Sequence, residues 1–351
     1  MGGIELKGYC LSRAPEALPT HHSPRKTSPP RLRRTSPMAT VFLSCGQAGN
    51  EVGGAFWRLA SAEPPARRWL FDAQGTARAV FVDTEPKAVR GVVESLGTQC
   101  VHPRCALVEQ SGRGNNWAMG YCGVDGGGRN GIAEAALEAL RWQWERCDWC
   151  SGLVLMHSIG GGTGSGLGSL LMQEIRDVYP RYYLTACAMC PFVAGELPLG
   201  HYNAALAMSF LQEFSDAIIL VDNSQLLHQL TAAAKETHST SSRSATCLNM
   251  RDLDADVARG LAGLTFPTDG PNSRHPFDPG DLVSSVCPMP SRKCVALGSS
   301  PTPPAPRDSS GSTLSHGSRH SLPDPSDTDA ESGAKRCSRY GEWLLNIRAT
   351  A

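Results

Sequence analysis

The sequence lacks a net charge: 33 basic side chains balance 33 acidic ones over 351 residues. Without a surplus of one sign there is no global attraction to a phosphate polymer or an anionic bilayer, so composition excludes nucleic acid and membrane as expected partners. It also lacks any run of about 18 apolar residues, so no bilayer-spanning helix is encoded. No apolar signal segment opens the chain. The 13 cysteines therefore do not read as the disulfide framework of a short secreted domain. They sit inside apolar runs and read as reduced thiols of the cytosol. Proline is sparse in the long centre: 17 of the 25 fall in residues 1–37 and 271–351.

That imbalance divides the chain into three. Residues 1–37 carry seven basic and two acidic side chains with six prolines and no periodicity, as either a targeting peptide or an extension upstream of a functional start at Met38. Residues 38–267 form the expected folded domain. Residues 268–351 read as a Pro/Ser-rich tail, and both ends are expected to be disordered.

The centre holds one stretch around which the rest is arranged. An apolar run, Leu153-Val154-Leu155-Met156, leads through His157 and Ser158 into Gly160-Gly161-Gly162-Thr163-Gly164-Ser165-Gly166, and Leu167, Leu170, Leu171, Ile175 and Val178 follow at helical spacing. Strand, glycine loop and helix is the arrangement that surrounds a phosphate with backbone N–H groups. Glycines are expected there to adopt positive φ and approach an anion, with Thr163 and Ser165 adding hydroxyl donors. The other reading is a flexible turn. No Lys follows the glycines, which excludes a Walker-type loop, and a dinucleotide fingerprint would open the first βα unit rather than lie this far downstream.

Earlier strand–loop–helix units repeat the pattern. The run 39–45 enters Gly46-Gln47-Ala48-Gly49-Asn50, and the run 78–82 ends in Asp83-Thr84-Glu85-Pro86, two carboxylates suited to Mg²⁺ and its waters or to capping the next helix. Residues 60–75 read as a Pro/Arg-rich surface loop, and Ser111-Gly112-Arg113-Gly114-Asn115-Asn116-Trp117-Ala118 as a glycine/amide loop. Further strands are expected at 182–189 and 217–221, with helices at 201–214 and 248–264. Strands alternating with helices this regularly predict an α/β fold, a Rossmann-like parallel sheet covered on both faces, with ligands beyond the strands' carboxyl ends. The spacing of Cys147/Cys150 and of Cys187/Cys190 permits structural zinc or simply buried thiols. His157 reads as a strand-end residue rather than a ligand.

The motifs GQAGN, DTEP, SGRGNNWA, GGGTGSG, HYN (201–203) and VDN (221–223) occur in the order and spacing of the tubulin nucleotide-binding domain, which residues 38–267 resemble. Among tubulins, Lys87, Gly195-Glu196 and Cys147-Asp148 are most similar to the delta type. The resemblance implies GTP or GDP with Mg²⁺ across the strand ends. It sets Ser158, Gly160, Gly161, Gly162, Thr163 and Gly164 around the phosphates, Gly46, Gln47 and Ala48 beneath the nucleotide, and Asp83 and Glu85 near Mg²⁺. It further sets Gly114 and Asn115 by the γ-phosphate, Glu196 at the ribose, and Asn223 and Asp254 at the guanine, although Asp254 also reads as a solvated helix residue. Ala48 stands where the family usually has Cys, Met250 where many members stack an aromatic ring, and Asp254 where they carry Asn. Nothing after Gly270 resembles the second domain that completes hydrolysis on a neighbouring subunit, so nucleotide binding without turnover is expected. The implied partners are other tubulins or centriolar proteins, in the cytoplasm and cytoskeleton at centriole, centrosome or basal body. The competing expectation is a truncated nucleotide-binding module, regulatory or inert, without polymer contacts.

Overall fold

The computed structural model describes residues 39–124, 130–193, 198–238, 248–267, 277–297 and 348–349. Strand β1 (Ala39–Cys45) runs directly into helix α1 (Gly46–Ala62), followed by α2 (Pro64–Leu70), β2 (Ala79–Asp83), α3 (Pro86–Leu96) and β3 (Ala106–Val108). Next come α4 (Trp117–Cys122), α5 (Gly131–Glu145), β4 (Cys150–Ser158), α6 (Gly168–Val178), β5 (Tyr183–Cys190), α7 (Gly200–Phe214) and β6 (Ala217–Asp222). The chain continues through α8 (Asn223–His238), α9 (Met250–Thr265), α10 (Pro279–Val286), β7 (Cys294–Ala296) and a two-residue β8 (Arg348–Ala349).

The sheet order is β3-β2-β1-β4-β5-β6-β7-β8, parallel throughout except for the antiparallel β7–β8 edge. Because side chains alternate along a strand, the central strands feed two cores. Phe42, Phe81, Val154, Met156, Cys187 and Ile219 face one side, where they meet Phe56 and Trp57 of α1 and Val257 and Leu261 of α9. Val41, Leu43, Leu153, Leu155, Leu184 and Ile218 face the other, against Ile132, Leu140, Leu171 and Leu211 of α5, α6 and α7. A strand buried on both faces reads as a nearly continuous apolar run, which is why the central runs show no polar alternation.

The first core is tied by aromatic rings. Phe42 lies 5.0 Å from Phe56 and 5.5 Å from Trp57, while Trp57 meets Phe71 edge-on at 5.3 Å and Phe56 reaches Phe266 at 5.6 Å. These contacts join β1, α1, the segment after α2 and the end of α9, so α9 packs as an integral part of the domain.

Three expectations are corrected. Residues 60–75 are not wholly a surface loop: Pro64 and Pro65 open α2, where a missing N–H costs nothing, and Ala66 and Leu70 are buried. The glycine/amide loop ends at Asn116, and Trp117 begins α4. The fold also continues past 267, for α10 packs Leu282 and Cys287 into the first core and β7 pairs with β6, its Val295 buried. The amino-terminal segment 1–37 lies outside the described residues. No helix among the described residues is long and apolar enough to cross a membrane.

The continuation past 267 has a measurable consequence. A chain ended at Pro267 should unfold at clearly lower urea than one ended at Leu297, because it uncovers the ladder edge of β6 and loses the apolar area that Leu282, Cys287 and Val295 bury. Coincident unfolding midpoints for the two chains would show that α10 and β7 contribute nothing to the domain.

Candidate functional site

The strand order reverses between β1 and β4, where Cys45 and His157 stand side by side in the ladder. Such a reversal leaves a crevice at the carboxyl ends, because successive helices leave to opposite faces. The chain turns out of β1 at Gly46, whose φ is +72°. A Cβ there would lie 2.8 Å from the Gly164 nitrogen, so the first loop and the central glycine loop touch backbone to backbone.

The central loop departs from the expectation of positive φ. Among the described glycines, left-handed backbone occurs at Gly46, Gly75, Gly97, Gly114 and Gly123, and not at Gly160, Gly161, Gly162 or Gly164. These glycines are required instead by closeness. A Cβ at Gly162 would come 2.8 Å from the Asn116 nitrogen, one at Gly164 2.6 Å from the Ser158 oxygen, and one at Gly160 2.9 Å from Pro191. Gly161 differs, since nothing lies within 4 Å of its Cβ position. The loop enters α6 through a widened turn over Thr163–Leu167. Ser165 does not add a free donor: it is fully buried and its hydroxyl bonds to the Gly161 carbonyl. The Thr163 hydroxyl lies 2.6 Å from that of Thr84 and links this loop to the end of β2.

His157 is wholly buried, its Nδ1 2.8 Å from the Gly164 carbonyl. A carbonyl only accepts, so Nδ1 carries the proton. Burial pulls its pKa down to about 4, which keeps the ring neutral. It is a strand-end brace for the loop.

The third loop reaches the same edge through two successive left-handed residues, Gly114 at φ +54° and Asn115 at φ +51°. Asn116 then caps α4 by accepting from the Ala118 N–H at 2.9 Å. All of this is held by Asn203 of α7, which donates to the carbonyls of Asn115 at 2.7 Å and Gly160 at 2.9 Å and accepts from the Trp117 N–H at 3.0 Å. On the opposite side, buried Asn50 donates to the carbonyls of Gly46 at 2.8 Å and Val82 at 2.9 Å, joining the first loop to β2. Sequence reading gave neither Asn203 nor Asn50 a role. The available signal was an amide among small and apolar neighbours near the start of each helix, where an unpaired buried amide would be costly.

Acidic groups gather beside these loops. Asp83 is buried at the end of β2, and its carboxyl is raised to about 6, by burial first and by the charges of Glu85 and Glu51. Glu85 lies against Gly112, where a Cβ would be 2.8 Å from its Oε1. Asp254, on α9, is raised to about 7 by burial and then by Glu51, and its Oδ2 has no hydrogen-bond partner. Asp254 lines a hollow of about 830 Å³ with Asn50, Glu51, Arg58, Glu85 and Arg251. It is therefore not the solvated helix residue that its neighbours Asp252 and Asp256 suggest.

Residues 39–231, more than half of the chain, match the model of the Tubulin/FtsZ family, GTPase domain. The chain belongs to the tubulin/FtsZ family. As a member it is a GTP-binding, tubulin-like protein, and the loops just described are those that the family resemblance assigns to the nucleotide.

The structure brings together most of the residues that the tubulin resemblance implies for the nucleotide. Gly46, Ser158, Gly160, Gly161, Gly162, Thr163, Gly164, Gly114 and Asn115 converge on the β1/β4 reversal. Gln47 is exposed there and donates to Glu51 at 3.1 Å, while Ala48 packs against the first core. Glu196 lies outside the described residues. Asn223 opens α8 at the end of β6, whereas Asp254 lies in the hollow beside α1 and α3, of which Asn223 is not a lining residue. The two residues expected at the guanine thus do not share one described hollow. The cysteine pairs do not combine into a zinc site: Cys150 starts β4 at the sheet's amino edge and Cys190 ends β5 at the carboxyl edge. Among the described residues no three His, Cys, Asp or Glu side chains assemble for a metal.

The raised Asp254 carboxyl makes stability depend on pH. Its folded pKa of about 7 lies above the ordinary 3.8, so the folded state binds the extra proton, and the associated stability is present at low pH and lost as pH rises through 7. Asp254→Asn should therefore raise the Tm by roughly 3–6 °C at pH 8 and by progressively less toward pH 5. A gain that is the same at both pH values would assign it to something other than that proton.

Proposed function

We propose that this chain holds a guanine nucleotide with Mg²⁺ at the β1/β4 reversal and acts as a structural component rather than a turnover enzyme. The observation that carries the reading is the convergence of three backbone segments with Gly161 as the one central-loop position open to a side chain. Small residues keep side chains out of the crevice, so N–H groups and hydroxyls can face an anion. The carboxylates fit a hard cation: burial and the nearby Glu85 charge raise the cost of ionising Asp83, which a divalent ion relieves. Mg²⁺, when bound, would neutralise phosphate charge there. Thr84 and Thr163 add hydroxyl oxygens on the same side. Asn223 and Asp254 are the candidates for reading the base, with Glu196 for the ribose.

Delta-type identity rests on Lys87, Gly195-Glu196 and Cys147-Asp148. On that reading the protein works with other tubulins or centriolar proteins in the cytoskeleton, at centrioles or basal bodies. A tagged full-length chain should then concentrate at centrioles in dividing cells. Uniform distribution along interphase microtubules would contradict the delta-like reading and leave the nucleotide site standing.

The nucleotide site is tested at Gly161. A Cβ at Gly162 or Gly164 collides with protein backbone, so substitution there confounds folding with binding. A Cβ at Gly161 has no protein atom within 4 Å, so Gly161→Val should leave the unfolding free energy within about 0.5 kcal/mol of wild type while lowering GTP retention at least ~10-fold, equivalent to about 1.4 kcal/mol. The nucleotide released on denaturing the wild-type protein should be GTP or GDP, and phosphate release should not climb with protein concentration. Equal GTP affinity in Gly161→Val and wild type would remove the phosphate site from this loop.

A further inference from the structure

At the amino edge of the sheet, away from the nucleotide loops, the segment Cys147-Asp148-Trp149-Cys150 connects α5 to β4. Two intervening residues set its thiols beside each other, placed so that Cys150 can donate to a Cys147 thiolate. Cys147 Sγ also lies 3.3 Å from the Gln143 carbonyl, and Cys150 Sγ lies 3.4 Å from the Gly152 carbonyl. Arg78, immediately before β2, places Nη1 2.9 Å from Cys147 Sγ, while its own buried Nε has no partner. Both cysteines are only partly buried, and Trp149 between them is 65% exposed, so a small disulfide can reach the pair.

We propose that Cys147 and Cys150 form a reversible dithiol/disulfide couple that exchanges with small disulfides of the glutathione class, Cys147 attacking and Cys150 resolving, with Arg78 as the positioning residue for the attacking sulfur. In the first step the Cys147 thiolate forms a bond to one sulfur of glutathione disulfide, and the S–S bond breaks to release one glutathione thiolate. In the second, Cys150 loses its proton to solvent and attacks the Cys147 sulfur, which releases the second glutathione. Two protein thiols are oxidised and one glutathione disulfide is reduced to two thiols.

The two sulfurs are electrostatically unequal in the direction that this order needs. Cys147 is held below the ordinary thiol value, at about 7, by the hydrogen bond from Cys150 and then by the charge of Arg78, against burial and the opposing Asp148. Cys150 is pushed up by the same pairing, by burial, and by the charge on Cys147. Tyr182 faces both sulfurs, and Arg146 beside Cys147 is already paired with Asp72. Elsewhere burial raises the thiols of Cys45, Cys105, Cys187 and Cys190, which makes them poor nucleophiles. An attacking thiol with a pKa near ambient pH exchanges fastest.

The test uses the reduced full-length chain, glutathione disulfide and peptide mass spectrometry. Wild type should yield a peptide linked Cys147–Cys150, Cys150→Ser should stop with one glutathionyl group on Cys147, and Cys147→Ser should yield neither. Arg78→Gln should slow iodoacetamide alkylation of Cys147 at pH 7 by roughly 10-fold and move its pH midpoint upward, with Arg78→Lys recovering part of the loss. First capture of glutathione on Cys150, absence of the linked peptide in wild type, or an Arg78→Gln profile that overlays wild type would each overturn the proposal. Should Arg78→Gln fail to fold, the trapping result in Cys150→Ser, which leaves Arg78 in place, decides between these outcomes.

Discussion

Everything at the carboxyl edge depends on two backbones passing without a side chain between them. Gly46 and Gly164 meet where β1 and β4 end side by side, and the distance a Cβ would have from the opposing nitrogen, 2.8 Å, leaves no room for one. That contact brings the start of α1 and the turn before α6 to one point. The domain's only described reversal of strand order lies there, so the crevice and the close approach are one feature.

Buried amides complete what the glycines allow. A loop cannot be held by apolar packing alone, because its carbonyls and N–H groups need partners once water is excluded. Asn203 supplies three such partners from α7, and Asn50 supplies two from α1. Each amide therefore links loops far apart in sequence, and its loss would leave several backbone groups unpaired together. The loops are held from helices on both faces of the sheet, which gives the site a rigidity that no single βα turn provides.

Much of this was legible in the sequence where the signal is local and strong. Apolar runs marked β1, β2, β4, β5 and β6, and the glycine and acidic residues after them marked the carboxyl edge of the sheet. What escaped was short or non-local. β7 is three residues long, and its place depends on pairing with β6 more than 70 residues earlier, which local periodicity does not register. α2 was hidden by Pro64 and Pro65, whose helix-breaking character does not apply in a first turn. The glycines of the central loop were legible as necessary, but the reason was misread: their φ values are ordinary, and only the packing of Asn116, Arg113 and Ser158 against them explains the requirement. Asp254 read as a base contact with a solvated residue as the alternative, because burial of one helix face is not decided by the helix's own sequence.

His157 carries a further consequence for how the cradle behaves across cellular acidity. Its ring is neutral, with its one N–H directed at the loop's own carbonyl, so the glycine loop presents the same dipoles to an anion throughout the range over which a cell's interior varies. Beside the crevice two carboxyls do change charge near that range, Asp83 at the end of β2 and Asp254 in the hollow beside α1 and α3. Acidification would therefore neutralise these carboxyls while the glycine loop stays as it is, and the two sides of the crevice would differ in what they sense.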